Sequence, residues 1–277
     1  MKNIFEQLII LTKFMTRIPI PIKVDYDPKK LGKSIKFFPF VGLIIGFILY
    51  YTSIILVKFS KNNLINALIV IVIELMVVGI IHIDGLCDTF DGLFSYREKE
   101  KMLEIMKDSR LGSNGALALI LYFLIKFVLL YSLLMEDQGE TVFAVLTYPV
   151  VARLCSVISC ASAPYARGSG MGKTFVDNTK TSGVVIATLI TVVYSGAILF
   201  YMMGSQFNYF LPLDLFMKSF GVNLLIIVIL GLFAFSFSKL IERKIGGITG
   251  DTLGALLEIS SLVYIFLLLV IPSFFLG

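Results

Sequence analysis

LINALIVIVIELMVVGIIHIDGLCDTFDG, residues 64–92, decides the reading of this chain. Its first twenty residues form an apolar run long enough to cross the hydrocarbon core of a bilayer, with Glu74 as the charged interruption. Directly behind it come Asp84, Asp88 and Asp91, at i, i+4 and i+7, a spacing that a helix stacks on one face. Like charges gathered in this way repel one another unless something neutralises them. Carboxylate oxygens, completed by phosphate, are the hard donors that suit Mg²⁺ better than a softer metal. A solvated, merely acidic helix end is the plainer alternative. Gly85 and Gly92, which admit close approach of a backbone or a ligand, weigh against it.

The whole chain extends the first half of that pattern. Of its 277 residues 57% are hydrophobic and only 16% charged, and the mean hydropathy is +0.91. That is more apolar surface than a soluble core of this size can hide, so the bilayer is the expected solvent. Runs of about 18 or more apolar residues fall at 37–57, 64–83, 116–135, 142–162, 183–203, 221–238 and 253–275. The expected fold is therefore all-α: one integral-membrane domain over 1–277, a polytopic bundle of about seven transmembrane helices. Ahead of it Ile4, Leu8, Leu11, Met15 and Ile18 recur at helical spacing. They predict an amphipathic helix that lies in the membrane interface or packs on the bundle, stopped by Pro19 and Pro21. Glu6 and Lys13 break its apolar character and argue against a signal peptide. Cys87, Cys155 and Cys160 form no CxxC pair, so neither a zinc site nor a disulfide framework is expected.

Seven spans place the N-terminal arm on the same side as segments 84–115, 163–182 and 239–252. Those four hold 19 of the 24 Lys and Arg residues, and the opposite segments hold 3. The positive-inside rule then predicts a multi-pass protein of the cytoplasmic (inner) membrane, with its N-terminus and motif loops in the cytoplasm. The net charge of +5 reports this topology, and no nucleic-acid partner is expected.

On that one face acids and bases are mixed. In KMLEIMKDSRLGSNG, 101–115, Lys107, Asp108 and Arg110 end an apolar stripe. They suit either phosphate binding or snorkelling to headgroups. APYARGSGMGKTF, 163–175, sets Arg167 and Lys173 among three glycines, a weak anion-binding signal that a flexible connector would also produce. ERKIGGITGDTLGALLE, 242–258, places Asp251 near the start of the last span, with Thr249 competing to cap it. Glu258 lies about 10 Å deeper on the same face. Glu74, Lys126, Arg153 and Glu258 sum to zero charge within the spans and should face inward and pair. His82, the single histidine, suits a general base or a structural role at the helix end.

Taken in order, HxDGLxDTxDG, LEIMKDSRxGxxG, a PYARxxGxG-like loop and GGxTGDxLGAxxE resemble the cobalamin synthase family, the adenosylcobinamide-GDP ribazoletransferases. The N-terminal FMTRIPIP matches that family's FxxRIPxP signature, and the resemblance covers nearly the whole chain. One departure is Gly168, where the family pattern has proline. The resemblance implies Mg²⁺-dependent transfer late in cobalamin biosynthesis. Adenosylcobinamide-GDP would join α-ribazole or its 5′-phosphate, a ribose hydroxyl attacking the phosphorus next to the cobinamide arm, with GMP leaving. On this reading Asp84, Asp88 and Asp91 hold the metal, and Asp91 or Asp108 accepts the hydroxyl proton. His82, Lys107 and Arg110 join the catalytic set. Arg167, Lys173, Gly247, Thr249, Gly250, Asp251 and Glu258 contact substrate. The partners are the two substrates and the lipid bilayer, and a homo-oligomer is admitted. Two other readings compete. A phosphotransferase of CDP-alcohol type would act on a nucleotide-activated lipid, but Cys87-Asp88 stand where its motif has Ala-Arg. An ion-coupled transporter would concentrate its charges at the midplane rather than at one interface.

Overall fold

A computed structural model describes residues 2–135, 138–206 and 213–271, and its main elements are helical. The helices are α1 (Lys2–Met15), α2 (Pro28–Ser34), α3 (Phe38–Phe59), α4 (Asn63–Val78), α5 (Ile81–Leu93) and α6 (Lys99–Ile105). They continue as α7 (Ser113–Met135), α8 (Gln138–Ser162), α9 (Met171–Asn178), α10 (Thr181–Gln206), α11 (Leu213–Ile245) and α12 (Gly250–Val270). Among the described residues six helical stretches are each long and apolar enough to cross a membrane, and α4 with α5 makes a seventh only as a pair bent by 95°. The polytopic bundle expected from hydropathy is thus present. The end of the run 253–275, from residue 272 on, and the opposite-side segment 207–212 lie outside the described residues.

The bend corrects one expected boundary. The apolar run to residue 83 is not one straight span, because α4 stops at Val78 and Gly79 adopts φ 79°, a left-handed conformation that glycine accepts readily. The N-terminal arm holds this corner, with the Arg17 N–H donating to the Val77 carbonyl at 2.7 Å. Any Cβ at position 79 would meet the Arg17 side chain, 2.9 Å from Nε. α5 turns away from α4 by 95° and packs against α12. Segment 84–115, expected as a loop, is consequently mostly helix.

Three packing features position everything else. α8 is the hub, buried over 89% of its apolar window against 22–50% for the other five stretches. α3 lies close against it because Gly42 and Gly46 present no side chain to the backbone at Pro149 and Leu146. α5 meets α12 in the same way, where a Cβ on Gly85 would lie 2.7 Å from the Asp251 carbonyl oxygen and one on Gly254 2.9 Å from that of His82. α1 packs through Leu11 and Met15 while Ile4 and Phe5 stay exposed.

The helix ends sort the motifs. At one end Asn63 donates to the Leu134 carbonyl, joining α4 to α7. At the other end Asp91 meets Gly112, Arg167 meets Asp251, and residues 165 and 248 form a parallel bridge. Cysteines placed at Glu100 and Lys180, both exposed, should therefore react with an impermeant maleimide from the same membrane side. One at Lys61 should react from the other side, and labelling of Glu100 and Lys180 from opposite sides contradicts the arrangement. Separately, Gly85→Val should lower the detergent-solubilised protein's thermal stability by about 1–3 kcal/mol, the usual cost of overpacking.

Candidate active site

The site is built where α5 crosses α12. Asp84 and Asp88 sit one turn apart on α5, and Asp251 opens α12 beside them. Asp88 is half-buried, and burial together with the charges of Asp251, Asp84 and Asp91 pushes its carboxyl up to about 7, with Arg167 opposing the shift. The like-charge crowding inferred from spacing is present, and Asp251, from the far end of the sequence, belongs to it.

Arg167 is the counter-charge. Its Nη1 lies 2.9 Å from Asp251 Oδ2, and the side chain is only 13% exposed. A backbone clip delivers it there: Ile248 N–H donates to the Pro164 carbonyl and Ala166 N–H to the Ile248 carbonyl, both at 2.8 Å. Gly247, at φ 153°, lets the Pro164 carbonyl come this close. Thr249 caps α12 through a reciprocal box with Thr252 and also donates from Oγ1 to Asp251 Oδ2 at 3.2 Å. Arg167 Nε and Nη2 are buried and have no hydrogen-bond partner among the described residues. A guanidinium held this way offers two donors to an incoming anion.

A cavity of about 220 Å³ opens beside these groups, with Asp84, Gly250, Asp251, His82 and Ser156 on its wall. His82 is 7% exposed, and burial pushes its imidazolium down to about 3, leaving the ring neutral.

Several expected site residues sit elsewhere. Asp91 turns both carboxylate oxygens to backbone N–H groups, Oδ2 to Gly112 and Oδ1 to Gly115, each at 2.8 Å. It ties the start of α7 to α5. Asp108 and Arg110 are solvent-facing and pair with each other at 2.6 Å, and the guanidinium holds the Asp108 carboxyl down at about 2. Lys107 is exposed on the same turn. Lys173 pairs along α9 with Asp177 at 3.2 Å. Gly247 and Thr249 are buried and shape the loop, so they present no surface to a substrate. Glu258 lies beneath the site, hydrogen-bonded by Tyr122 and 3.9 Å from Lys126, which also contacts Glu74 at 2.9 Å. Lys126 thus pairs with Glu74 and approaches Glu258 as expected, whereas Arg153 bonds the Pro149 carbonyl and forms no ion pair among the described residues. Ser156, also on the cavity wall, carries no distinguishing signal in the sequence, being one serine in an apolar span. Among the described residues no three His, Cys, Asp or Glu side chains are already arranged to hold a metal ion.

A helical membrane bundle with an acidic, arginine-countered cluster at one end is the class that fold and site define. The chain belongs to the cobalamin-5-phosphate synthase family, whose model matches residues 7–269. It is 62% identical to the adenosylcobinamide-GDP ribazoletransferase of Fusobacterium nucleatum over 275 residues, 97% of this chain and 99% of that protein. It is 39% identical to the protein of that name from Caldanaerobacter subterraneus (93% and 95% covered) and 37% to that from Clostridium acetobutylicum (94% of each). No solved structure matches the chain.

Asp91→Ala should leave the Gly112 and Gly115 N–H groups without their acceptor. An expected stability loss of about 1–3 kcal/mol, read as a lower melting temperature and faster proteolysis near residue 110, checks the assignment.

Proposed function

We propose that this chain is an adenosylcobinamide-GDP ribazoletransferase, acting at the cytoplasmic face of the membrane. The carrying observation is the junction of α5 with α12, where Asp84, Asp88 and Asp251 meet a buried arginine with two unpaired donors. In the reaction the hydroxyl oxygen of α-ribazole, or of its 5′-phosphate, bonds to the phosphorus next to the cobinamide arm. The bond from that phosphorus to the oxygen of the GMP leaving group breaks, GMP departs, and the hydroxyl proton is released.

The donor set fits Mg²⁺. Carboxylate oxygens are its preferred protein ligands, and it is commonly bound by one or two carboxylates plus substrate phosphates rather than by an all-protein cage. Asp84 and Asp88 would hold it. When bound it neutralises diphosphate charge as the phosphoryl group transfers.

The protein's own groups do the rest. Arg167, kept in place by Asp251 and the Pro164–Ile248 clip, would offer Nε and Nη2 to phosphate oxygens. Asp251 orients Arg167 and is itself oriented by Thr249. Asp91 fixes α7 against the metal-bearing helix. Asp108, held at about 2 by Arg110, is a weak acceptor for the hydroxyl proton. Lys107 and Arg110, at the exposed surface, add positive potential that draws in an anionic donor.

Asp84→Asn and Asp88→Asn should each lower GMP release from adenosylcobinamide-GDP and α-ribazole by roughly 100-fold or more, with the melting temperature kept. Turnover near that of the parent in both variants, with Mg²⁺ limiting, contradicts the assignment. Release of CMP from a CDP-activated lipid by the parent protein, without release of GMP from adenosylcobinamide-GDP, instead favours the lipid phosphotransferase.

A further inference from the structure

The cavity beside the acidic cluster has a composition unlike the rest of the site. One side is Asp84 and Asp251; the remainder is formed largely by apolar side chains from helices distant in sequence, including Phe14, Phe38 and Phe175. Phe14 and Phe175 meet edge to face at 5.8 Å. His82 and Ser156 belong to this wall, and each keeps one buried polar atom, Nδ1 and Oγ, without a hydrogen-bond partner among the described residues. Both residues are more than nine-tenths buried, His82 at 7% and Ser156 at 3% exposure. Leaving a buried polar group unpaired costs stability, so two on one wall mark a place where a ligand supplies the partners.

Size narrows the ligand. A dry apolar cavity of about 150 Å³ holds one benzene ring. At about 220 Å³ this one is on the scale of a fused two-ring system. A corrinoid macrocycle is far too large for it and must stay at the open face of the bundle. An apolar lining with a few fixed polar atoms, rather than a charged one, is what an aromatic heterocycle requires.

We infer that this cavity receives the flat heteroaromatic base of the acceptor nucleoside, with Ser156 and His82 addressing its ring nitrogen edge and the ribose directed toward Asp84 and Asp251. The inference rests on the proposed ribazole transfer, since it assigns the two substrates to different parts of one site. It also explains why the cavity draws on α1, α8 and α9, which add no carboxylate to the acidic cluster. Those elements would select the acceptor, and the α5–α12 junction would act on the diphosphate.

The test uses the full chain in detergent or nanodiscs. Ser156→Leu fills the cavity from α8 and removes the hydroxyl, and Cys160→Leu narrows it from the same helix one turn on. Each should raise the KM for α-ribazole by about tenfold or more, the scale on which a pocket rejects a misfit of a methylene or two. The KM for adenosylcobinamide-GDP should stay within about twofold. Free benzimidazole, the base without its sugar, should inhibit competitively against the acceptor and not against the donor. Its calorimetric binding to the parent protein without donor should weaken by about tenfold in Ser156→Leu. Circular-dichroism melting checks that both variants are folded, and if one is not, the other carries the comparison. An unmoved acceptor KM in folded protein, a donor KM that rises instead, or benzimidazole competing with the donor overturns the inference, a lipid tail being the occupant the first result favours. The two readings fail separately. Absence of GMP release by the parent protein defeats the proposed transfer, whereas benzimidazole binding lost in Ser156→Leu still identifies an aromatic-base pocket.

Discussion

The molecule depends on how closely α5 can lie on α12. At Gly85 and Gly254 the two helices meet backbone to backbone, with no room for a Cβ on either glycine. That contact carries Asp84 and Asp88 to Asp251 across more than half the sequence. It also sets the price of the arrangement, since carboxylates brought together repel. The fold meets the repulsion on one side with Arg167, delivered by a clip between two loops, and leaves the other side open toward the solvent-facing end of the bundle. The corner at Gly79 serves the same contact: a straight continuation of α4 would keep the aspartates in line with that helix, whereas the 95° bend brings α5 onto the start of α12.

Below this level the bundle holds a second charged group. Lys126 lies within reach of Glu74 and Glu258, with the Tyr122 and Tyr148 rings 5.2 and 5.6 Å from its ammonium group. Tyr148 donates to Glu74 at 2.6 Å. In a hydrocarbon surrounding such groups are tolerated when each charge has a partner, and losing one leaves the others uncompensated. The cluster joins α4, α7, α8 and α12 beneath the acidic site, so α12, which carries Asp251, is tied to three further helices below it.

Much of this was legible in the sequence, for reasons that differ by feature. Apolar runs report membrane crossing because the bilayer leaves few alternatives, and the stretches around residues 38–59, 113–135 and 250–270 appear where hydropathy places them. The i, i+4, i+7 aspartates reveal a shared helix face because helical geometry is local. The fate of each aspartate was not local. Asp91 has the same spacing credentials as Asp84 and Asp88, yet its oxygens go to Gly112 and Gly115, which only the packing of α7 decides. Asp108 and Arg110 looked like site groups for their chemistry, but two residues apart on an exposed turn they satisfy each other. The break at Gly79 escaped because a glycine permits a bend without requiring one, and the requirement comes from Arg17, sixty residues upstream.

The central place of α8 bears on how the protein enters the membrane at all. It has the lowest mean hydropathy of the six candidate crossing stretches, 1.8 against 2.2–2.5. It also carries Pro149 and the buried Arg153, whose Nη1 donates to the Pro149 carbonyl and whose guanidinium stacks 5.3 Å from the Phe38 ring. An arginine at the centre of a lone inserting helix costs about 2.5–3.5 kcal/mol on insertion scales. Within the finished bundle that cost is met by protein neighbours, because α8 touches little lipid. Its place in the bilayer therefore rests on packing as well as on its own hydropathy, and α3, which meets it closely at Gly42 and Gly46, is part of the surface that shields it.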